Sequence, residues 1–434
     1  IATQKRLHMS LYWDDLLLKL YAEQEQQKDF LTKQWIDQHT MKGKEFDSYV
    51  KQKLPSEETN ALHIPAAMMQ GLDVEAHGIH PIHAPAILTH FNYVDIADIH
   101  YKSNPIKKEY NFVRPKFYYA YHNDTKKFLS AVVPGKDYVS HHGELLRHLI
   151  RILGYDPDER SKVLHYPLVE KNIADWTQLD GRFVKHGDRV VMGYVNEMEA
   201  PIVEKYRLPK ISEEHNEFQG SRRYQTPMGY NLNFLGFAST YWGDSSAKLV
   251  TRICELGASE VIYTAKTGVL SSPYDVYTRP LCPSSYINMN RDRVTSTITD
   301  LPNVFLRLFP HLNSGAHVSI PTMAEENYLQ ASIARLLKAQ SIDNETAQMA
   351  LGVQIFNTLR KAMVGFGVMH FGTDYLYRED ESRDEQTPNL VEGRTPSVIE
   401  KKSIIRGKVA DHVGHYLMTI PPNFKNQALE LTLR

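Results

Sequence analysis

Cysteine is nearly missing from this chain. Its 434 residues include two, Cys254 and Cys282. They are too far apart to be a close metal-ligand pair, and a disulfide framework needs more of them. The fold is therefore expected to hold without cross-links, as suits a reducing compartment. Net charge is missing as well: Lys plus Arg is 50 and Asp plus Glu is 51. That balance argues against a protein built mainly to hold nucleic acid, because phosphate contacts need concentrated positive charge. No apolar run approaches the roughly 18 residues that span a bilayer, and no signal-peptide pattern opens the chain. The first residue is Ile1 rather than Met, so a natural start upstream stays open. These absences lead to the expectation of a cytoplasmic protein with neither a membrane nor a nucleic-acid partner, export by a specialised system remaining open.

What is present is ordinary globular material, 42% hydrophobic and 23% charged, enough for two or three domains. Residues 1–60 are polar and helix-prone, with Leu11, Leu16, Leu17, Leu18 and Leu20 on amphipathic spacing. Residues 61–104 are rich in His and Pro and read as irregular chain with short helices. Residues 110–133 carry Phe117, Tyr118, Tyr119, Tyr121 and Phe128 around the turn His122-Asn123-Asp124, which predicts a hairpin. A helix over 142–153 ends at Gly154. No period repeats.

The pattern changes near Gly187. Residues 188–194 read as a buried strand, 196–206 as a helix and 231–239 as a second strand. Gly243-Asp244-Ser245-Ser246 opens a helix to about Leu256, and 260–265 is another strand. Strand, Gly-rich turn, helix, Gly, strand implies parallel strands with a right-handed crossover. Helices over 323–337 and 344–361, a strand over 365–372, a polar loop or lid over 377–398 and a last helix over 409–418 complete the reading. The boundary is placed at 185/186: a helical/mixed domain of unknown role over 1–185, and an α/β catalytic domain over 186–434.

Four segments of the second part, in order, resemble those of the purine/uridine phosphorylase and nucleosidase superfamily. They are Val190-Val191-Met192-Gly193 with Asn196-Glu197-Met198-Glu199-Ala200; Val261 to Leu270, with Ala265-Lys266-Thr267-Gly268 in its turn; Ile342-Asp343-Asn344-Glu345-Thr346-Ala347; and Met369-His370-Phe371-Gly372-Thr373-Asp374. The resemblance covers about residues 188–376 and leaves the first 185 unmatched. It implies a three-layer phosphorylase/hydrolase-like α/β domain with a twisted mixed central sheet, and a homo-oligomer acting on a small nucleoside or nucleotide; neither a cofactor nor, from the pattern of the histidines, a metal is expected.

Breaking an N-glycosidic bond passes through an oxocarbenium-like sugar. By the resemblance, Asp374 is the acid that shares a proton with the purine N7, Glu345 accepts the ribose hydroxyls, and Glu199 orients the attacking water. Each residue has a plainer reading: Asp374 as an anchor at a strand end, Glu345 as a first-turn helix residue, Glu199 as a solvated one. Lys266 departs from the small residue usual at its position. It could read a phosphate or carboxylate on the substrate, block the site, or point to solvent. Asn344 replaces the usual Met. Thr267, Gly268, His317 and Arg223 complete the candidate binding set. Tyr263 stands where phosphorolytic members carry Arg, which favours water over phosphate, although Arg222 and Arg223 could supply charge. The start at Gly243 reads either as an anion cradle or as an ordinary N-cap. The 20 histidines include no HExxH motif. Hydrolysis of a purine-type nucleoside or nucleotide is the leading expectation; phosphorolysis, or a catalytically altered binding or regulatory protein of the same fold, are the rivals.

Overall fold

The computed structural model describes residues 29–30, 60–99, 109–166, 169, 172–173, 177–289, 296–322, 328–377 and 395–422. The expected helices of residues 1–59 and most of the expected lid at 377–398 lie outside them. The chain divides into two compact units. One holds Ile1–Lys108 and Phe112–Trp176; the other holds Glu109–Asn111 and Thr177–Arg434. Both combine sheets and helices, so the chain is α/β.

The first unit contains β1 (Asp29–Phe30), α1 (Asn60–Met69), β2 (Asp73–His77), α2 (Ala84–His90), β3 (Val94–Asp98), β4 (Lys116–His122), β5 (Thr125–Ala131), α3 (Lys136–Ile152), α4 (Pro157–Arg160) and β6 (Ser161–His165). Its sheet runs β1-β6-β2-β5-β4-β3. The expected hairpin is β4/β5, paired antiparallel across Asn123-Asp124. The His/Pro-rich segment, expected to be irregular, supplies the sheet strands β2 and β3. Strand β2 is buried although it carries Glu75 and His77, because each of these side chains meets a polar partner. Glu75 accepts from the Tyr93 hydroxyl at 2.7 Å, and its carboxylate lies 3.3 Å from His77 Nε2 and 3.8 Å from Lys127 Nζ. Burial alone would raise the Glu75 pKa, but His77, Tyr93 and Lys127 outweigh it and hold it at about 2.

Helix α3 begins six residues before its expected start, and buries Val139, His142, Leu145, Leu146 and Ile150 along one stripe. Gly154 follows at φ +84°, the left-handed position a helix end favours. His142 lies inside, 2.8 Å from the Ser130 hydroxyl, and burial lowers its pKa to about 3. Its folded pKa thus lies below the unfolded value near 6.5, so the unfolded chain binds the extra proton. The stability contributed is whole above about pH 6.5 and is lost as pH falls toward 3, with a slope of up to about 1.4 kcal/mol per pH unit. Denaturant melts of this unit at pH 7 and pH 5 are expected to differ by about 2 kcal/mol more for the native chain than for His142→Gln. Equal pH slopes would contradict the assignment.

The second unit contains β7 (Arg189–Gly193), α5 (Val195–Tyr206), β8 (Lys210–His215), β9 (Gln219–Gln225), β10 (Asn231–Phe237), α6 (Gly243–Glu255), β11 (Glu260–Val269), β12 (Pro280–Leu281), β13 (Ser285–Met289), β14 (Ser296–Thr299), β15 (Ala316–Ser319), α7 (Tyr328–Leu336), β16 (Ala339–Asp343), α8 (Thr346–Arg360), β17 (Gly365–Tyr375) and α9 (Pro396–Thr419). The sheet order is β14-β13-β15-β16-β11-β7-β10-β9-β8, with β17 beside β11 and β12 beside β17. Strands β10, β7, β11 and β17 are mutually parallel where they pair, as the strand–helix–strand grammar requires. The antiparallel β8/β9 pair and the β11/β16 contact make the sheet mixed. The core joins Val191, Phe234, Ile262, Phe305 and Phe371 to Ile405, Val409, Val413 and Tyr416 of α9. Helix α9 begins well before its expected start at 409; its first turns are mostly exposed, so they lack the apolar stripe by which a sequence shows a helix. Among the described residues, no helix is long and apolar enough to cross a membrane.

Candidate functional site

Strands β11, β16 and β17 bring the chemistry together. Strand β11 runs buried from Glu260 to Val269 except at Lys266, which is exposed. Parallel to it, β17 pairs Thr267 with Gly372 and Gly268 with Asp374, so Thr373 is an extra residue in the ladder. Such a bulge re-aims the side chains beside it. Asp374, next to the bulge at the C-terminal end of β17, is buried, and its Oδ1 accepts from the Thr373 hydroxyl at 2.7 Å. Burial raises its pKa; the Thr373 hydrogen bond and the Lys266 charge oppose that rise. Gly268 lets the three strands close up. A Cβ there would lie 2.8 Å from Leu376 Cδ1, 3.0 Å from Ile342 Cγ2 and 3.4 Å from Asp374 Oδ2.

Glu345 sits just before α8. Its Oε1 accepts from the Tyr263 hydroxyl at 2.7 Å and its Oε2 from the Asn344 amide at 3.2 Å. One acceptor direction is left on each oxygen. Burial and the neighbouring Asp343 charge raise its pKa to about 8, against the pull of Tyr263, the Asn344 amide and Lys266. The Lys266 charge therefore reaches both Glu345 and Asp374, each of which follows or ends a strand beside β11. Strand ends are where open α/β sheets receive ligands.

Behind Glu345 lies a buried polar cluster. Parallel pairing sets His317 of β15 beside Ser341 of β16, and Ser319 beside Asp343. His317 Nδ1 lies 2.8 Å from Ser341 Oγ, and its Nε2 lies 2.9 Å from Asp343 Oδ1. Asp343 also accepts from the Ser319 hydroxyl at 2.5 Å, from the Glu345 and Thr346 amides and from the Thr346 hydroxyl. It thus caps α8 and fixes the turn that carries Glu345. Burial would raise the Asp343 pKa, but the two imidazoles and Ser319 hold it well below the usual carboxylate range. His370 of β17 completes the group, its Nε2 3.3 Å from Thr346 Oγ1 and its ring 5.4 Å from that of His317. Burial lowers the His370 pKa to about 3.

The other expected residues have different surroundings. The Thr267 hydroxyl donates to the Ile342 carbonyl at 2.7 Å, and the Asn344 amide group to the Ile320 carbonyl at 2.9 Å, so both brace the strands. Arg223 is buried far along β9, donating to Asp188 at 2.8 Å, to Ser212 and to the Arg182 carbonyl. Those bonds commit it to the framework and leave no basis for a substrate contact. Glu199 of α5 accepts from the Tyr224 hydroxyl at 2.7 Å and from Arg222 at 2.6 Å. Arg222 also pairs with Glu213 and Glu109, so the charge it could have lent a phosphate is already balanced. Helix α6 starts at Gly243 with Trp242 as its N-cap and no side-chain cap, and the Gly243 amide is satisfied by the Asn344 carbonyl at 2.9 Å. That departs from the ordinary Asp/Ser cap and takes the first N–H an anion cradle would use. An apolar groove of about 290 Å³ between β14 and α8, lined by Ile298, Leu351, Ile355 and Leu359, contains none of these residues.

Tyr263, Asp343, Ser341, Ser319 and His370 were not named as site residues by sequence reasoning. The signal for three of them is the alternation of polar residues, His317-x-Ser319 and Ser341-x-Asp343, in two short strands.

No family model matches the chain. It is similar to the oxidoreductase cns1 of Cordyceps militaris, 27% identical over 297 residues, or 65% of this chain and 37% of that protein. The chain thus spans little more than a third of that relative's length. Among solved structures, it is similar to the 5′-methylthioadenosine/S-adenosylhomocysteine nucleosidase of Campylobacter jejuni, at 14% identity and TM-score 0.38, covering 54% of this chain and 99% of that one. It is also similar to the futalosine hydrolase of Helicobacter pylori, at 11% identity and TM-score 0.40, covering 55% and 99%.

Proposed function

We propose that the second unit hydrolyses the N-glycosidic bond of a purine-type nucleoside or nucleotide. The observation that carries this reading is the pair of carboxyl groups, buried Asp374 and half-buried Glu345, brought from different elements under the influence of one exposed ammonium, Lys266. A carboxyl with a raised pKa suits donation of a proton to a departing base. Glu345, with its pKa raised to about 8, can donate from one oxygen and accept at the other, which suits the two adjacent ribose hydroxyls. Glu199 takes the water-orienting role, which requires its Arg222 ion pair to open when substrate binds. The three-layer form of the domain and its assembly as a homo-oligomer belong to the same proposal, and sedimentation tests the second.

Water is favoured over phosphate by Tyr263. By the resemblance it stands where phosphorolytic members carry Arg, and its hydroxyl is tied to Glu345. A panel of nucleosides and nucleotides incubated with and without phosphate tests the reading. Base release independent of phosphate is expected, and a phosphate requirement would reject hydrolysis. Tight binding with no base release at high enzyme concentration would instead support a regulatory protein. The same panel run on Glu199→Gln should show slower release with binding kept; an unchanged rate would remove Glu199 from the mechanism.

Lys266 makes the substrate prediction specific. An ammonium beside the sugar contributes most when the 5′ position carries an anion. Lys266→Met is expected to raise KM for a 5′-phosphorylated or carboxylated substrate by about 10–100-fold, the range of a hydrogen bond to a charged group. KM for the plain nucleoside should change little. Equal effects on both substrates would mean that Lys266 does not read the substituent.

A further inference from the structure

We infer that His317, Asp343 and His370 form a binding site for a borderline divalent transition-metal ion such as zinc. Strands β15, β16 and β17 each supply one group. One nitrogen of each imidazole and one carboxylate oxygen all lie within 4.8 Å of one another, and all three side chains are buried. Ligands around a tetrahedral ion at about 2.0–2.1 Å stand roughly 3.4 Å apart, so small side-chain shifts close the set. The expectation of no metal drawn from the sequence is reversed by this proposal.

The imidazoles are held in the way metal-binding histidines are held. A hydroxyl fixes one nitrogen of each ring: Ser341 at His317 Nδ1 and Thr346 at His370 Nε2. Partners of this kind orient the ring and leave the other nitrogen for the ion. Those remaining nitrogens, His317 Nε2 and His370 Nδ1, are both buried without a hydrogen-bond partner. His317 Nε2 is 2.9 Å from Asp343 Oδ1 yet lacks hydrogen-bond geometry. One nitrogen with no partner and a second that meets a carboxylate out of hydrogen-bond geometry, in one buried cluster, ask for an explanation, and an ion that takes both lone pairs provides one. Asp343 balances its charge. Two nitrogens and a carboxylate suit zinc, cobalt, nickel or ferrous iron, and suit calcium or magnesium poorly because those ions prefer all-oxygen sites. Since Asp343 also caps α8, the ion would stiffen the turn that carries Glu345.

The whole chain, stripped with EDTA and dialysed against Zn²⁺, should retain about one zinc per chain through gel filtration, measured by elemental mass spectrometry. His317→Gln and His370→Gln should lose it, and Ser341→Ala should weaken binding by about 10–100-fold while keeping all three ligands. Cobalt loading of the unaltered chain gives a reading that no folding defect can obscure: a visible d–d absorption at one equivalent is expected. No stoichiometric zinc or cobalt uptake by the unaltered chain overturns the proposal. So does uptake that both histidine variants retain, which would put the metal on other histidines. Neither result bears on base release, so this site and the hydrolytic reading stand or fall separately.

Discussion

Asp374→Asn is expected to slow base release by about 10³-fold, within the range that a general acid contributes, and to leave substrate affinity within a few-fold. The amide keeps the shape and can still meet the purine N7 with an N–H, so the bound substrate loses little. What it cannot do is transfer a proton as the glycosidic bond breaks. Asp374 is poised for that transfer by two opposed influences. Burial favours the neutral acid, and the Thr373 hydroxyl and the Lys266 charge favour the anion. Because the pKa is raised, release by the native protein should fall as pH climbs through it, and that alkaline limb should vanish in the variant. Single-turnover release with calorimetric binding separates the two effects. A loss of less than tenfold would reduce Asp374 to an anchor for the strand end, the plainer reading of a Thr-Asp pair in that place.

The apolar strands were legible because their burial is written in their own residues. Val190-Val191-Met192 and Val261-Ile262-Tyr263 are buried continuously and bounded by glycine, and they became β7 and β11. The polar strands were not. Strand β9 carries Arg222 and Arg223, whose charge suggests a phosphate site rather than the interior of a sheet. They are held in the sheet by Glu199, Asp188 and Glu213, partners distant in sequence. Strand β2 hides Glu75 by the same means. Tyr110 was read with the hairpin that follows it, yet it packs in the second unit beside Gly220 and Gly236, where a Cβ would stand within 2.7 Å and 2.3 Å of its side-chain atoms. Two glycines in separate strands give no sign of the ring they admit. The site followed the same rule. Asp374, Glu345 and Lys266 could be named from short segments, but the commitment of Thr267 and Asn344 to main-chain carbonyls depends on strand register. A register cannot be read from either strand alone.

Arg189→Met is expected to destabilise the second unit by about 3–5 kcal/mol, the cost of leaving one member of a buried ion pair unpartnered. Arg189 is fully buried at the start of β7, and its register partner on β11 is Glu260. Its Nε donates to Glu260 at 2.8 Å, and the Tyr416 hydroxyl donates to the other oxygen of that carboxylate at 2.6 Å. Its Nη1 reaches the Leu417 and Ile420 carbonyls at 2.9 and 2.8 Å, the last acceptors of α9, which have no partner within the helix. One guanidinium therefore ties the centre of the sheet to the end of the C-terminal helix. Losing it strands a buried carboxylate and two carbonyls together, so the cost should exceed that of any exposed pair such as Lys205–Asp411. The double variant Arg189→Met with Glu260→Leu should recover much of the loss, because two apolar groups no longer need each other. Hydrogen exchange over 396–419 reads the helix directly: a drop of about 3–5 kcal/mol in local opening corresponds to roughly 10²–10⁴-fold faster exchange. Exchange in α9 unchanged by the single variant would mean that the helix is held by its apolar face alone.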